Sequence, residues 1–108
     1  MKRLALATLF AVLAAPVLAA DPVEFKIAIQ DHKFEPAELK VPAGQKIKLV
    51  IENRDDSAEE FESHELNREK IVGPKATITV LIGPLEPGRY PFFGEFHIDT
   101  AQGVVVAE

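Results

Sequence analysis

The sequence predicts an all-β protein, a Greek-key β-sandwich of about seven short strands. Three observations support this fold class. Several short stretches alternate apolar and polar residues, which is the period of a half-buried strand. Clusters of glycine and proline separate these stretches and predict turns. After the N-terminal segment, no stretch shows the longer period of an amphipathic helix, so we expect no long helix.

The N-terminal segment, residues 1–20, has the pattern of a secretory signal peptide. A short basic start precedes an apolar run, Leu4–Leu18, which is too short to span a bilayer comfortably. Small residues follow, and we predict cleavage after Ala19 or Ala20. The product, residues 21–108, is a single domain of about 88 residues, and we expect it in the periplasm.

Composition limits the partners and the chemistry of this domain. The chain has 12 Lys and Arg against 17 Asp and Glu, and two of the basic residues, Lys2 and Arg3, lie in the predicted signal peptide. An acidic domain repels nucleic acid and anionic lipid, so we expect no nucleic-acid partner and no membrane insertion after cleavage. The chain contains no cysteine. It therefore has no disulfide, and no thiolate to bind a metal or attack a substrate.

The first half of the domain is predicted as two strands around a loop. Val23–Ile29 alternates, with every second residue apolar. Gln30–Leu39 contains Phe34-Glu35-Pro36 and is predicted as a loop. Pro42–Gln45 is a turn signal. Lys46–Glu52 then alternates again, with its isoleucine and leucine side chains facing inward.

The second half is predicted as further short strands between turns. Glu59–Ser63 is interpreted as a short strand, and Glu65–Lys70 as either one helical turn or a loop. Ala76–Ile82 alternates between two turns that contain glycine and proline.

The C-terminal part of the chain is predicted as two strands joined by a loop. An aromatic strand begins near Tyr90 and leads into a loop that carries His97. Gly103 closes this loop before a last strand, Val104–Val106. The position of Tyr90 after Pro87-Gly88 is typical of a tyrosine corner, in which the hydroxyl bonds to nearby backbone.

Several motifs, in this order and spacing, resemble the cupredoxins. They are Phe34-x-Pro36, Val41-Pro42-Ala43-Gly44, Asn53, Leu85-x-Pro87-Gly88-x-Tyr90, and Phe92-Phe93-x-x-Phe96-His97 before Gly103. The closer likeness is to the periplasmic cupredoxin-like proteins and domains of bacterial ferrous-iron uptake systems, the EfeO type. It is carried by Phe61-Glu62-Ser63, Leu66-x-Arg68-Glu69-Lys70 and the ending Phe96-His97-Ile98-Asp99-Thr100-Ala101-Gln102-Gly103. The resemblance covers essentially all of residues 21–108 and implies a cupredoxin-like fold for them.

The resemblance also implies four ligand positions, only one of which keeps its usual ligand. A blue-copper centre uses two imidazoles, one thiolate and a weak axial thioether. His97 stands at the position of the second imidazole, and Glu59 falls at that of the first. Gly94 replaces the thiolate and Ala101 replaces the thioether. The sequence therefore excludes a normal blue-copper centre.

Oxygen and nitrogen donors remain near these positions and predict a different kind of metal site. We expect Glu59, Glu95 and His97 to form it, with His64 or Glu62 as a further ligand. Carboxylates and imidazole bind Fe(II), Mn(II), Cu(II) and Zn(II) without the softness that selects Cu(I). The expected cofactor is thus a divalent metal ion, copper or iron.

Two other features near this loop have more ordinary interpretations. Eight of the 17 acidic residues lie between Glu52 and Lys70. Such a run is typical of a solvated face, and the alternative is a rim that attracts cations beside His97. His32, in the loop before Phe34, is interpreted as an ordinary loop histidine.

Two functions are compatible with these residues. The first is a periplasmic metal-binding protein, for copper or iron, that assists ferrous-iron uptake through a membrane permease or beside another periplasmic iron-uptake protein. The second is a metal-free cupredoxin frame that acts only as a docking module for a periplasmic or membrane transport complex. An enzyme is not expected, because the sequence shows no nucleophile–base arrangement and no phosphate-binding loop.

Overall fold

The computed structural model describes residues 20–108, which form two β-sheets around a shared core. The strands are β1 (Val23–Gln30), β2 (Lys33–Glu35), β3 (Glu38–Val41), β4 (Ile47–Asn53), β5 (Glu59–Ser63), β6 (Arg68–Val72), β7 (Thr77–Ile82), β8 (Gly88–Gly94) and β9 (Gln102–Ala107). One 3-10 helix, Glu95–His97, follows β8. Within residues 20–108 no helix has the length and apolar character needed to cross a bilayer. The predicted signal peptide, apart from Ala20, lies outside the described residues.

The order of the strands is that of a Greek-key sandwich. One sheet has the order β2-β1-β4-β7 and the other β3-β9-β8-β5-β6. The pairs β1–β4 and β3–β9 are parallel, and the remaining pairs are antiparallel. Sheet neighbours are thus often distant in the sequence, as Greek-key connections require. The predicted all-β sandwich is confirmed, with nine strands in the described residues.

The alternation that predicted the central strands matches their burial. In β4 every second side chain is fully buried: Ile47, Leu49 and Ile51. Three aromatic rings fill the core between the sheets, with ring centroids 4.9 to 6.2 Å apart: Phe34, Phe61 and Phe92. The predicted tyrosine corner is also confirmed, because the Tyr90 hydroxyl donates to the carbonyl of Glu86 at 2.8 Å.

The prediction of a loop over Gln30–Leu39 is wrong, because β2 and part of β3 lie in this segment. Each of these strands has only three or four residues, too few to show a period. Before β2 the chain turns at Asp31 and His32, whose φ angles of 54° and 58° lie in the left-handed region. The Asp55 carboxylate accepts hydrogen bonds from both of their N–H groups, at 2.8 and 3.0 Å. This carboxylate therefore holds the turn in place.

The segment Glu65–Lys70, left open between a helical turn and a loop, is a turn followed by the start of β6. Asn67 makes the turn with a φ angle of 52°, and β6 begins at Arg68. β6 is the edge strand of its sheet, and four of its five residues are exposed. A strand of this kind shows no apolar face in the sequence, which explains why it was not predicted.

Two side chains of β6 reach the edge of β7 in the other sheet. Arg68 Nε donates to the carbonyl of Leu81 at 2.9 Å, and Lys70 Nζ donates to the carbonyl of Thr79 at 3.0 Å. Among the strands of residues 20–108, β7 is the last of its sheet, and its outer edge has no strand partner there. An unpaired edge of this kind pairs readily with another chain. We therefore expect the two cationic side chains to protect the protein from edge-to-edge association.

Replacing Arg68 and Lys70 together with serine is expected to increase self-association, because the β7 carbonyls lose both donors. The two hydrogen bonds are exposed, so the accompanying loss of stability should be small, about 1–2 kcal/mol. Sedimentation velocity at increasing protein concentration measures the association. The control variant, Lys26→Ser with Lys46→Ser, removes two exposed charges elsewhere. Equal association in the control would show that net charge, and not edge protection, is responsible.

Candidate functional site

Strand β5 directs the side chain of Glu59 into the protein interior. Its residues alternate, so that Glu59, Phe61 and Ser63 are buried, whereas Glu60 and Glu62 face outward. The Glu59 residue is 1% exposed. A carboxylate at this depth is stable only when it is paired or hydrogen-bonded.

Both oxygens of the Glu59 carboxylate accept hydrogen bonds, and the donors come from two segments of the chain. Oε1 accepts from the backbone N–H groups of Glu60 and Phe96, each at 2.9 Å. Oε2 lies 2.6 Å from Nδ1 of His97. A distance this short is typical of a charge-assisted hydrogen bond, here with Nδ1–H donating to the carboxylate. Within residues 20–108, no buried side-chain nitrogen or oxygen lacks a partner.

The loop that carries His97 is closed by its own backbone. The Gly94 N–H donates to the Ala101 carbonyl, and the Ala101 N–H donates to the His97 carbonyl, both at 2.8 Å. The chain from Glu95 to His97 forms a 3-10 turn and not an extended segment. In a 3-10 turn, with three residues per turn, residues two apart do not share a face. His97 turns inward, whereas Glu95 is exposed.

Gly94 and Ala101 leave the space that the Glu59 carboxylate fills. A Cβ atom on Gly94 would lie 2.5 Å from Cδ and 2.7 Å from Oε2 of Glu59, and also 2.7 Å from Cβ of Ala101. Non-bonded carbon atoms prefer separations of about 3.5–4.0 Å. The carboxylate thus occupies the volume that a side chain at position 94, the thiolate position, would need.

A blue-copper centre does not fit this arrangement. The thiolate and thioether are missing, and the position of the first imidazole holds a carboxylate that already has three hydrogen-bond donors. Glu59 and His97 supply two potential ligands, whereas a closed metal site normally has about four. In the described part of the chain, the one group of three potential ligands within 4.8 Å of one another lies elsewhere: Glu60, Glu62 and Glu69. The buried position is therefore occupied by the hydrogen-bonded pair of Glu59 and His97.

The five predicted ligands lie in two regions. Glu59 and His97 meet at the buried position. Glu62 and Glu95 lie on the outer surface, close enough for their charges to interact. His64 is exposed and lines the same surface hollow as Glu62. The structure does not gather all five around one point, and metal binding by any of them stays a prediction.

Four carboxylates form a group on the outer surface of β5 and the adjoining segments, termed the outer cluster: Glu60, Glu62, Glu69 and Glu95. Hydrogen bonding with Glu69, desolvation and the surrounding negative charges raise the pKa of Glu60 to about 7. Desolvation, a hydrogen bond with Glu95 and neighbouring charges also raise the pKa of Glu62. The outer cluster therefore holds a proton close to neutral pH.

The contribution of Glu60 is expected to make the domain less stable as pH rises from about 4.5 to 7. Unfolding lowers the pKa of Glu60 from about 7 to its ordinary value of 4.5. The folded state thus binds more protons than the unfolded state in this window. The stabilisation by Glu60 is complete below its pKa in the unfolded chain and is lost as pH rises through its pKa in the folded protein. Carboxyl ¹³C NMR should show a Glu60 midpoint near 7. Glu69→Gln should lower this midpoint, whereas Glu65→Gln, an exposed acid outside the outer cluster, should not.

His32 lies next to the Glu59–His97 pair, a position that the sequence did not predict. Its ring stacks on that of His97, with centroids 3.6 Å apart and planes at 15°. Its Nδ1 lies 3.6 Å from Oδ2 of Asp55. Burial acts to raise the pKa of Asp55, but hydrogen bonds from the N–H groups of His32 and Asp31 and nearby positive charges outweigh it and lower the pKa. No local sequence signal shows that these two turns meet.

Comparison with known proteins gives a family and a close relative. A family model described as a cupredoxin-like domain matches residues 2–107. An uncharacterized protein of Rickettsia prowazekii (strain Madrid E) is 55% identical over 84 residues, which cover 78% of this chain and 67% of that protein.

Solved structures with the same fold are more distant in sequence. Auracyanin A, a "blue" copper protein from Chloroflexus aurantiacus, has a TM-score of 0.70 at 17% identity and covers 82% of this chain and 100% of its own. The metal-binding domain of a Cu(I)-exporting P-type ATPase from Streptococcus pneumoniae has a TM-score of 0.67 at 17% identity, with coverage of 79% and 84%. These likenesses show the fold alone. With the family model matching nearly its whole length, the chain belongs to the cupredoxin-like domain family.

Proposed function

We propose that this protein is an exported metal-binding protein that carries a divalent ion, copper or iron, in the periplasm and assists ferrous-iron uptake through a membrane permease. It acts by binding and not by catalysis. The observation that carries the proposal is the hydrogen-bonded pair of Glu59 and His97 at the loop end of the sandwich.

This pair holds one imidazole in the orientation of a metal ligand. Histidines that bind metal usually donate their other ring N–H to a carboxylate or carbonyl, which fixes the tautomer and orients the ring. In His97 this nitrogen is Nδ1, because it faces Glu59 at 2.6 Å. Nε2 lies on the far side of the ring, and the His97 side chain is 27% exposed. The pair therefore leaves one ring nitrogen for an ion that arrives from solvent.

The charge near the loop and the relatives of the fold support the same function. The outer cluster places four carboxylates next to the strand that carries Glu59, and such a concentration of negative charge attracts cations. Auracyanin A is a copper protein, and the streptococcal domain is the metal-binding part of a Cu(I)-exporting ATPase. The role in iron uptake and the permease partner rest on the resemblance of Phe61-Glu62-Ser63 and of the ending Phe96–Gly103 to proteins of ferrous-iron uptake.

A metal-free docking module is the second candidate, and two observations favour it. Both oxygens of the Glu59 carboxylate are already hydrogen-bonded within the chain, so its burial does not require an ion. Phe96 and Ile98, on either side of His97, are 48% and 47% exposed. Exposed apolar side chains around a loop end are typical of a surface that contacts a partner.

Calorimetric titration of the processed protein with Cu(II), and with Fe(II) under anaerobic conditions, separates the two candidates. We expect one saturable site with micromolar or tighter affinity for at least one of the two ions, and His97→Ala should weaken it at least about tenfold. The matched control is His64→Ala, which removes an exposed imidazole outside the pair. No saturable binding of either ion would eliminate the metal-binding function and leave the docking function.

A further inference from the structure

We propose that the outward face of the five-stranded sheet docks a cationic segment of another protein. This segment places apolar side chains on a strip formed by β8 and β9, and Lys or Arg side chains on the outer cluster. The surface begins beside Ile98 at the loop end and continues along the face of the sheet. The proposal goes beyond the proposed function, because it holds whether or not the protein binds an ion.

The apolar strip is formed by residues of two paired strands that point away from the core: Pro91, Phe93, Val104 and Val106. An antiparallel sheet with one solvated face normally alternates apolar and polar residues along each strand. Strand β9 departs from this pattern, because it carries three valines in a row and only Val105 is buried. Each residue of the strip stays partly or fully exposed. The described part of the chain thus leaves an apolar sheet face open to a partner.

The strip deepens into a hollow at the end that lies nearest the loop. This hollow has a volume of about 380 Å³, and apolar residues, among them Phe93 and Ile98, form most of its lining. The side chain of Ile98 is about half exposed at its rim. A few apolar anchors seated in such hollows supply most of the binding free energy in many protein interfaces. The hollow therefore suits a large apolar side chain of a partner.

The outer cluster borders the strip and lacks a cation from its own chain. Phe93 lies opposite Glu62 of the next strand, and Glu62 lies opposite Glu69 of the strand after that. Oxygens of Glu60, Glu62 and Glu69 lie within 4.8 Å of one another, and Glu95 lines the apolar hollow. Among residues 20–108, no Lys, Arg or His nitrogen lies within 4.0 Å of these four carboxylates. Cationic side chains of a partner would relieve their repulsion.

Charge favours a cationic partner over a second copy of this chain. Residues 21–108 contain all 17 acidic residues and only 10 of the basic ones. Two domains of this charge repel each other. Arg89, at the far end of the strip, lies 3.3 Å from Glu38 of its own chain, so it is already paired. The complementary surface therefore combines apolar side chains with Lys or Arg.

Titration of the processed protein with a short peptide that alternates leucine and lysine, followed by ¹⁵N NMR, tests the proposal. We expect amide signals of β8, β9 and the outer cluster to shift and to saturate. A peptide that alternates leucine and glutamate has the same apolar content and the opposite charge, and it should shift none of them. Added salt should weaken binding of the lysine peptide, because exposed charges are screened.

Variants of the apolar strip test the apolar part of the surface. Phe93→Ser should weaken binding of the lysine peptide about tenfold or more. Val104→Thr combined with Val106→Thr keeps the branched shape of both side chains and should weaken binding in the same direction, so the test does not depend on one variant. The matched control is Val50→Thr, which changes an outward valine of the other sheet and should leave the affinity unchanged.

Variants of the outer cluster test the charged part. Glu62→Gln combined with Glu69→Gln should weaken binding of the lysine peptide and reduce its dependence on salt. Glu35→Gln combined with Glu52→Gln is the matched control, because it removes two exposed carboxylates from the outward side of the other sheet. This control should bind the lysine peptide as the wild-type protein does.

Four results would overturn the proposal. The first is the absence of saturable shifts with the lysine peptide, and the second is equal binding of the lysine and glutamate peptides. The third is binding that the strip and cluster variants leave unchanged, which would place the peptide elsewhere. The fourth is dimerisation of the protein alone in sedimentation velocity, abolished by Val104→Thr with Val106→Thr, which would make a second copy the occupant. Binding of Cu(II) or Fe(II) is measured separately, so failure of this proposal leaves the proposed function untouched.

Discussion

Replacing Glu59 with alanine is expected to lower the free energy of unfolding by about 3–5 kcal/mol, the range for removing one partner of a buried charge-assisted pair. The carboxylate is the shared acceptor of three donors: the N–H groups of Glu60 and Phe96 and Nδ1–H of His97. Its removal leaves these donors unsatisfied and opens a cavity beneath the loop. Urea denaturation followed by circular dichroism measures the loss.

Glu60→Ala is the matched control, because it removes the neighbouring carboxylate, which faces outward. We expect this variant to be as stable as the wild-type protein or more stable, since it relieves repulsion in the outer cluster. Glu59→Gln keeps the size of the side chain and one acceptor oxygen, so it should fall between the wild-type protein and Glu59→Ala. Equal losses for Glu59→Ala and Glu60→Ala would show that the buried pair does not stabilise the fold.

Gly94→Ala is expected to destabilise the domain by about 3 kcal/mol, the upper part of the range for inserting a methyl group into a packed interior. The added Cβ atom would lie 2.5 Å from Cδ of Glu59 and 2.7 Å from Cβ of Ala101. The carboxylate cannot swing aside without losing its hydrogen bonds, and the Ala101 Cβ cannot move without the backbone. Thermal and urea denaturation both report the change.

A second glycine and a double variant control this measurement. Gly73→Ala adds a methyl group whose nearest neighbour is Cβ of Ala76 at 3.9 Å, an ordinary contact, so its effect should stay within about 1 kcal/mol. In Gly94→Ala combined with Glu59→Ala, part of the clash disappears. We therefore expect the double variant to lose less stability than the sum of the two single variants. Strict additivity would show that the carboxylate does not fill the space beside Gly94.

The strands that were predicted from the sequence have one buried face, and this burial produces an alternation of apolar and polar residues. Strand β4 lies inside its sheet with one buried face, and every second residue along it is apolar. Strands β2 and β3 are too short to show a period, and β6 is exposed along most of its length. The local sequence therefore predicts the longer strands with one buried face and misses strands that are short or exposed along most of their length.

The candidate site was predictable only in part, because most of it depends on how distant turns meet. Counting along the cupredoxin pattern placed Glu59 near His97, and the structure brings these two together. The same count gave no sign that the carboxylate fills the vacant ligand volume, since this follows from the approach of Gly94 to Ala101. His32 was interpreted as an ordinary loop histidine, because its stacking on His97 arises from a contact between two turns far apart in the sequence.

The hydrogen-bonded Glu59 also bears on how an ion is released. In many metalloproteins the free energy of metal binding is part of the free energy of folding, so a chelator unfolds them. Here the loop end is closed by the chain itself, without an ion. Under the proposed function, an ion bound at the surface would be transferred to a receiver while the sandwich keeps its shape. The protein would then need no refolding between one ion and the next.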